Sequence, residues 1–366
     1  MSTTLSIILK GCIFCKIYMT FDQTLNLYQD IANREVNNFF DKVKPLFESR
    51  EEFMQSYNRL RDFCTRGGKK TRPILVMVGY EALRGHSKFK GISRVAVYAE
   101  LLHNFLLIHD DIMDKDEKRR NGPTIHAWYK SDFESLYPDS AEHLGISLGI
   151  NDGDLLEILA MKPILDSDFP ENSKIRALKE FQETVFSTGL GQKLDVLSAV
   201  SEVDEEYVKH VHALKTAHYT FSRPLRVGAI FADAKEDDLK ILSDYGLHIG
   251  IAFQLRDDRL GLYPDKLGKG KNDLSEGKKT IIVLRALDQL NGKDRKILRE
   301  CLGKRDNEKV KTALGLIEKT DAFDYNEQIY KEYSKKAQEI IQSSWFVESR
   351  KNFLSDLATY VITRES

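Results

Sequence analysis

Eighteen consecutive residues, Val95 to Ile112, carry no glycine or proline and are apolar on most sides. A segment of that kind is a helix with no face to give to water, and it belongs in the middle of a large helical protein. A second one runs from about Lys240 to Leu260. Between and around them the apolar residues recur at helical spacing, and only eight prolines interrupt the chain. Strand-like alternation between turn signals is absent, so the pattern predicts an all-α fold. Loops are expected at SLYPDSAEH, PILDSDFPENS and LYPDKLGKGKNDLSEGKKT, where Pro, Gly, Asp and Ser gather. None reads as a domain linker and no repeat is evident, so one helical domain is expected from residue 21 to 366.

Residues 1–20 are expected to be a poorly ordered N-terminal extension. Its apolar stretch LSIILKGCIFCKIYM is interrupted by Lys10 and Lys16 and is too short to span a bilayer. Cys12 and Cys15 form a CxxC pair with no second pair at metal spacing. With Cys64 and Cys301 they make too few cysteines for a disulfide scaffold, which suits a reducing cytoplasm. The 55 Lys and Arg offset 56 Asp and Glu to a net charge of -1, so overall electrostatics point to no nucleic-acid partner and no membrane insertion. Any work done by charge must be local.

Two local clusters stand out. The first apolar helix closes on HDDIMD, with Asp110 and Asp114 one turn apart on one face and Asp111 beside them. Three carboxylates at the end of a greasy helix call for a counter-ion, and hard oxygens one turn apart suit magnesium. The second apolar helix closes on FQLRDD, with Gly250, Gln254 and Asp257 on one face and Asp258 adjoining. Acidic ends of two facing helices can hold several magnesium ions, whose octahedra are completed by water and phosphate oxygens. Cations of the kind a diphosphate needs accompany them: Lys69 and Arg72 in GGKKTRP, the pair Arg119 and Arg120, Lys215, Lys269, Lys271 and Lys278.

These motifs, in order, are similar to those of the trans-isoprenyl diphosphate synthases, and within them to the short-chain archaeal type that makes geranylgeranyl diphosphate. The resemblance runs from about Asp22 to Ser366 through GGKKTRP, ELLHNFLLIHDDIMDKDEKRRNGPTIH, NDGDLL, GLGQKLD, KTAHYTFSRPLRVGA, FQLRDDRLG, GKNDLSEGKKT and FLSDLATYVITRE. It implies a helical bundle around a central cavity, a homodimer, three magnesium ions, and condensation of an allylic diphosphate with isopentenyl diphosphate. By the same resemblance Asp110 and Asp114 would bind two ions and Asp257 a third, with Asp111, Asp258 and Asp273 in support. Arg119, Lys215, Lys278 and either Lys269 or Lys271 would grip the allylic diphosphate, beside Gln192 and Asp195. Lys69, Arg72, His103 and Arg120 would hold isopentenyl diphosphate, while Thr216 and Gln254 would lie near the reacting carbons. A histidine on an apolar helix is also often an ordinary core side chain.

Phe105, five residues before Asp110, would project into the tunnel for the growing tail, about 7.5 Å down the helix. In the resembling archaeal enzymes an aromatic there is the floor that stops growth at twenty carbons; Leu102 lies one turn deeper, and Leu106 is not aromatic. The sequence departs from the family pattern twice. The second motif commonly reads DDxxD, whereas Gly261 stands in its last position, and GKGKND is one residue short of the common GKxxGxD form. The alternatives are a farnesyl diphosphate synthase, a non-catalytic subunit of a heteromeric synthase and a terpene cyclase. The last would not need the second diphosphate site that GGKKTRP and the arginine pair imply.

Overall fold

Helical periodicity becomes a bundle in the computed structural model, which describes residues 19–85, 91–263 and 272–364. The extension to residue 18, the CxxC pair, and Lys269 and Lys271 lie outside the described residues. In chain order the helices are α1 Phe21–Val43, α2 Glu51–Thr65, α3 Thr71–Arg84, α4 Ile92–Met113, α5 Ile125–Phe133, α6 Ala141–Leu165, α7 Glu171–Ser198 and α8 Glu205–His212. A π-helical segment, Ala213–Ser222, carries α8 into α9 Arg223–Phe231, and α10 Glu236–Gly261 follows. After α10 come the one-turn α11 Asp273–Glu276, then α12 Ile281–Gln289, α13 Gly292–Cys301, α14 Asn307–Ile317, α15 Ala322–Gln342 and α16 Glu348–Thr363.

The Thr20 hydroxyl accepts the Gln23 N–H while the Gln23 side chain accepts the Thr20 N–H, a reciprocal cap that starts α1. As its composition requires, α4 is the central helix, buried on nearly every side and packed against α1, α3 and α6. Opposite, α10 packs against the π segment, α9, α15 and α16. One core holds these elements together, from Tyr28 of α1 to Leu354 of α16. Leu274, Ile282, Val283, Leu298 and Ile317 form a smaller cluster under α11 to α14. That satellite fixes the chain that follows α10.

Two details depart from the sequence reading. The loop expected from Pro163 is still helical to Leu165, because a proline in the last turn removes a hydrogen bond from a helix that is about to end. A two-residue hairpin also appears, β1 Lys118–Arg119 paired with β2 Gly122–Pro123. Its turn residues Arg120 and Asn121 both have positive φ, 50° and 62°. A tight hairpin requires that conformation, but an arginine rarely supplies it and a sequence pattern does not announce it. No helix among the described residues is long and apolar enough to cross a membrane.

Candidate active site

The end of α4 delivers its three aspartates to different places. Asp114 caps the helix, its N–H donating to the Asp110 carbonyl at 2.8 Å. Burial, and then the neighbouring Asp110, push its carboxyl up to about 6. Asp111, about 100° further round the helix, is fully buried and takes Arg119 through Nε at 2.6 Å and Nη2 at 2.5 Å. Burial pushes this carboxyl up to about 7 against the pull of Arg119. Arg119 also lies 3.9 Å from Asp110 and 3.9 Å from Asp116. The hairpin is thereby tied to the helix end.

Its neighbour Arg120 turns the other way, toward the Arg66 carbonyl at 3.4 Å and Glu100 at 4.0 Å. It lies over Gly68, which has φ +89° and where a Cβ would come 3.1 Å from the guanidinium carbon. The second glycine of GGKKTRP is therefore needed both for its backbone and for the space above it. Arg72, at the start of α3, donates to Tyr219 Oη and to Thr220 Oγ1 at 2.8 Å, and stacks 4.2 Å from the centre of the Tyr219 ring. The His103 ring lies 6.1 Å from the same tyrosine. Burial, and then Arg72, Arg120, Arg119 and Lys70, hold His103 well below the usual imidazole range. It is a neutral group among cations, and its Nδ1 is buried without a hydrogen-bond partner. Lys69 is exposed, 5.8 Å from the Tyr360 ring. Its neighbour Lys70 is buried, bonded to Glu100 at 2.7 Å and the Cys64 carbonyl at 2.9 Å.

Across from α4, the π segment and α10 supply the other wall. An i→i+5 turn is wider than an α turn and is common where side chains must be re-aimed at a site. Here it sends Lys215 to Asp195 at 2.6 Å and Asp110 at 3.6 Å. Burial lowers the affinity of Lys215 for its proton, but Asp195 and Asp110 more than restore it. Gln192 donates to Asp110 at 3.1 Å. Thr216 donates to Gln254 Oε1 at 2.9 Å, and Gln254 Nε2 donates to Asp258 at 3.1 Å. The amide of Gln254 is thus fixed from both ends.

Asp110, Asp195, Lys215, Gln254, Asp257, Asp258, Asp273 and Lys278 line one cavity of about 360 Å³, together with Arg72 and Thr216. Lys278 sits 3.3 Å from Asp273 and 3.0 Å from Glu276. The residues brought together from α4, α7, α10 and α11 are those the motifs marked, apart from Asp111, which faces the hairpin. Three further side chains escaped the sequence reading. His212 lines the cavity and sits 3.2 Å from Asp258. Tyr219 bridges Arg72 and His103, and Arg364 pairs with Asp257. Tyr219 lay in the quoted segment KTAHYTFS, but nothing in its spacing marks it as a partner of α3.

A second cavity, about 530 Å³ and mainly apolar, runs between α4 and α7. Phe105 and Leu106 line it, whereas Leu102 is buried behind them in the core. The two cavities share Leu107, Asp110, Lys215 and Tyr219. A charged chamber therefore opens onto an apolar one at Asp110.

Magnesium fits these donors. The carboxylate oxygens are hard, they come from facing helices, and burial and mutual repulsion raise Asp114 in a way a cation would relieve. Among the described residues no group of three His, Cys, Asp or Glu side chains is close enough to hold an ion unaided, so water and substrate oxygens would complete the shell.

The polyprenyl synthetase profile matches residues 55–317. A geranylgeranyl diphosphate synthase of Sulfolobus acidocaldarius is 30% identical over 322 residues, covering 86% of this chain and 91% of its own. A geranylfarnesyl diphosphate synthase of Aeropyrum pernix is 32% identical over 307 residues, 81% of this chain and 91% of its own. Among solved structures, a geranylgeranyl pyrophosphate synthase of Corynebacterium glutamicum, complexed with isoprenyl diphosphate and magnesium, superposes with a TM-score of 0.86. It is 28% identical and covers 94% of this chain and 100% of that one. Sequence and fold agree over most of the molecule, and the chain belongs to the polyprenyl synthetase family.

Proposed function

We propose that this protein extends an allylic diphosphate with isopentenyl diphosphate, using three magnesium ions, and releases mainly geranylgeranyl diphosphate. The observation that carries the reading is the junction of the two cavities at Asp110. Ionisation needs charge beside the diphosphate, and a lengthening hydrocarbon needs an apolar space that begins where the charge ends.

Asp110 and Asp114 on α4 and Asp257 on α10 would hold the metal, with Asp258 and Asp273 in support. When bound, magnesium neutralises the charge that gathers on the departing diphosphate. Lys215 and Lys278 keep their protons in this chamber because aspartates surround them, and so remain cations for the same diphosphate, with Arg119 beside them. Arg72, Arg120, Lys69 and neutral His103 would hold isopentenyl diphosphate. His103 then offers a hydrogen bond rather than a charge, and its unpartnered Nδ1 supports that role. Thr216 and Gln254, locked together, would face the reacting carbons and keep the cation's surroundings free of mobile water. The double bond of isopentenyl diphosphate attacks the cation, and the proton leaves to the released diphosphate; no protein nucleophile is involved. Phe105 is the proposed floor of the tail cavity.

We also propose a homodimer in the cytoplasm. Apolar side chains that face outward on α6 and α7, including Ile158 and Phe186, support a partner on that face, and the buried free thiols of Cys64 and Cys301 suit a reducing compartment. The test is turnover by the purified chain alone, supplied with allylic diphosphate, labelled isopentenyl diphosphate and magnesium. Labelled prenyl diphosphate should form, vanish with a chelator and return with magnesium. No turnover under any of these conditions would overturn the reading in favour of a non-catalytic subunit.

A further inference from the structure

The last turn of α10 carries Asp257 and, one turn on along the same face, Gly261 where the second motif commonly ends in aspartate. The space above Gly261 is filled. A Cβ built there would lie 2.1 Å from Asp273 Oδ2 and 2.7 Å from Asp273 Cγ, so any side chain at 261 and the Asp273 carboxylate exclude one another. Asp257, Gly261 and Asp273 all line the cavity that Asp110 lines.

The local chemistry keeps Asp273 in that position. Asn272, the cap of α11, donates through Nδ2 to the Leu262 carbonyl at 2.7 Å and accepts the Leu274 N–H at 2.7 Å. The start of α11 is thereby clipped to the end of α10. Leu274 is fully buried in the satellite core. Lys278 reaches the other carboxylate oxygen, Oδ1, at 3.3 Å, which leaves Oδ2 over Gly261.

We propose that Asp273 supplies to the metal chamber the carboxylate that the DDxxD form carries on α10 itself, and that Gly261 is the residue that admits it. The missing aspartate is relocated from helix to loop, and the two positions act as one site that holds a single carboxylate. The inference rests on the proposed magnesium chemistry of the chamber.

The test measures the magnesium concentration needed to bind inorganic diphosphate, by calorimetry on the full-length protein. Asp273→Asn keeps the shape and removes the charge, and it should raise that concentration about tenfold or more, the usual cost of losing a group that positions a metal. Gly261→Asp should be as weak, because it sets one carboxylate against the other. The exchange Gly261→Asp with Asp273→Gly should recover most of the lost affinity, and clearly exceed Asp273→Gly alone. A wild-type magnesium requirement in Asp273→Asn, or an exchange no better than Asp273→Gly, overturns the proposal. Asp110→Asn separates the two levels: if it weakens binding while Asp273→Asn does not, only the relocation is wrong, and if neither weakens binding the metal reading fails as well.

Discussion

Replacing Phe105 by alanine should lengthen the product by about one five-carbon unit. The ring is 3% exposed and lines the apolar cavity between α4 and α7, about 7.5 Å along the helix from Asp110. Behind it the next large side chain on a similar face is Leu102, three residues deeper, about 4.5 Å at 1.5 Å per residue. Removing the ring lowers the floor by one helical turn and no more, since Leu102 is packed into the core. The expected shift is thus from twenty carbons mainly to twenty-five. Adding Leu102→Ala should lower it again. A buried Phe→Ala change costs about 3–5 kcal/mol, and the low end applies where one side of the ring already faces a cavity, so a folded, slightly less stable enzyme is expected. Products are dephosphorylated and separated by chromatography beside prenol standards. An active Phe105→Ala enzyme that still stops at twenty carbons would show that the floor lies elsewhere.

Asp110→Asn and Asp257→Asn should each lower turnover by about a hundredfold or more with the helical circular dichroism unchanged, since each removes a charge a metal needs; near-normal rates in either sink the assignment. Arg120→Ala should raise the KM for isopentenyl diphosphate with little change in kcat, whereas a change confined to the allylic substrate would mean the two arginines have exchanged roles. His103 stays neutral in the folded chain at pH values where the unfolded chain, with a pKa near 6.5, takes up a proton. Stability is therefore lost as pH falls below about 6.5, by about 2 kcal/mol down to pH 5 at 1.36 kcal/mol per unit. His103→Gln should flatten the urea-midpoint profile over that range by that amount, and an unchanged slope would mean that the imidazole charges in place.

The parts of the molecule legible in the sequence are those whose cause is local. Val95 to Ile112 could be nothing but a buried helix, and the second apolar run gave α10 within a turn at its start. The aspartates at both ends were visible because charge on an apolar helix needs a reason. What escaped depends on geometry between distant segments. Asp111 and Asp110 are neighbours in sequence, yet one meets the hairpin and the other the cavity, a consequence of 100° of helix rotation and of where Arg119 arrives. Tyr219 matters because α3 carries Arg72 beside it, and Arg364 because α16 ends over Asp257; neither fact is written in the local pattern. Lys70 rather than Lys69 is the buried lysine of its motif, decided by the left-handed backbone at residue 70, which a pair of lysines does not reveal.

The π segment from Ala213 to Ser222 has a consequence for how this protein can change length. An α-helix advances about 100° per residue, and a π turn is an α-helix that has absorbed an extra residue without breaking. Deleting any one residue between Ala213 and Ser222 would let the segment relax to ordinary α geometry and keep every helix continuous. The cost would fall on register: Lys215 and Thr216 on one side of the deletion, or Thr220 on the other, would rotate away from Asp195, Gln254 and Arg72. Insertions and deletions are usually absorbed by loops, but here a stretch in mid-helix counts residues, and its length is as much a part of the site as the side chains it carries.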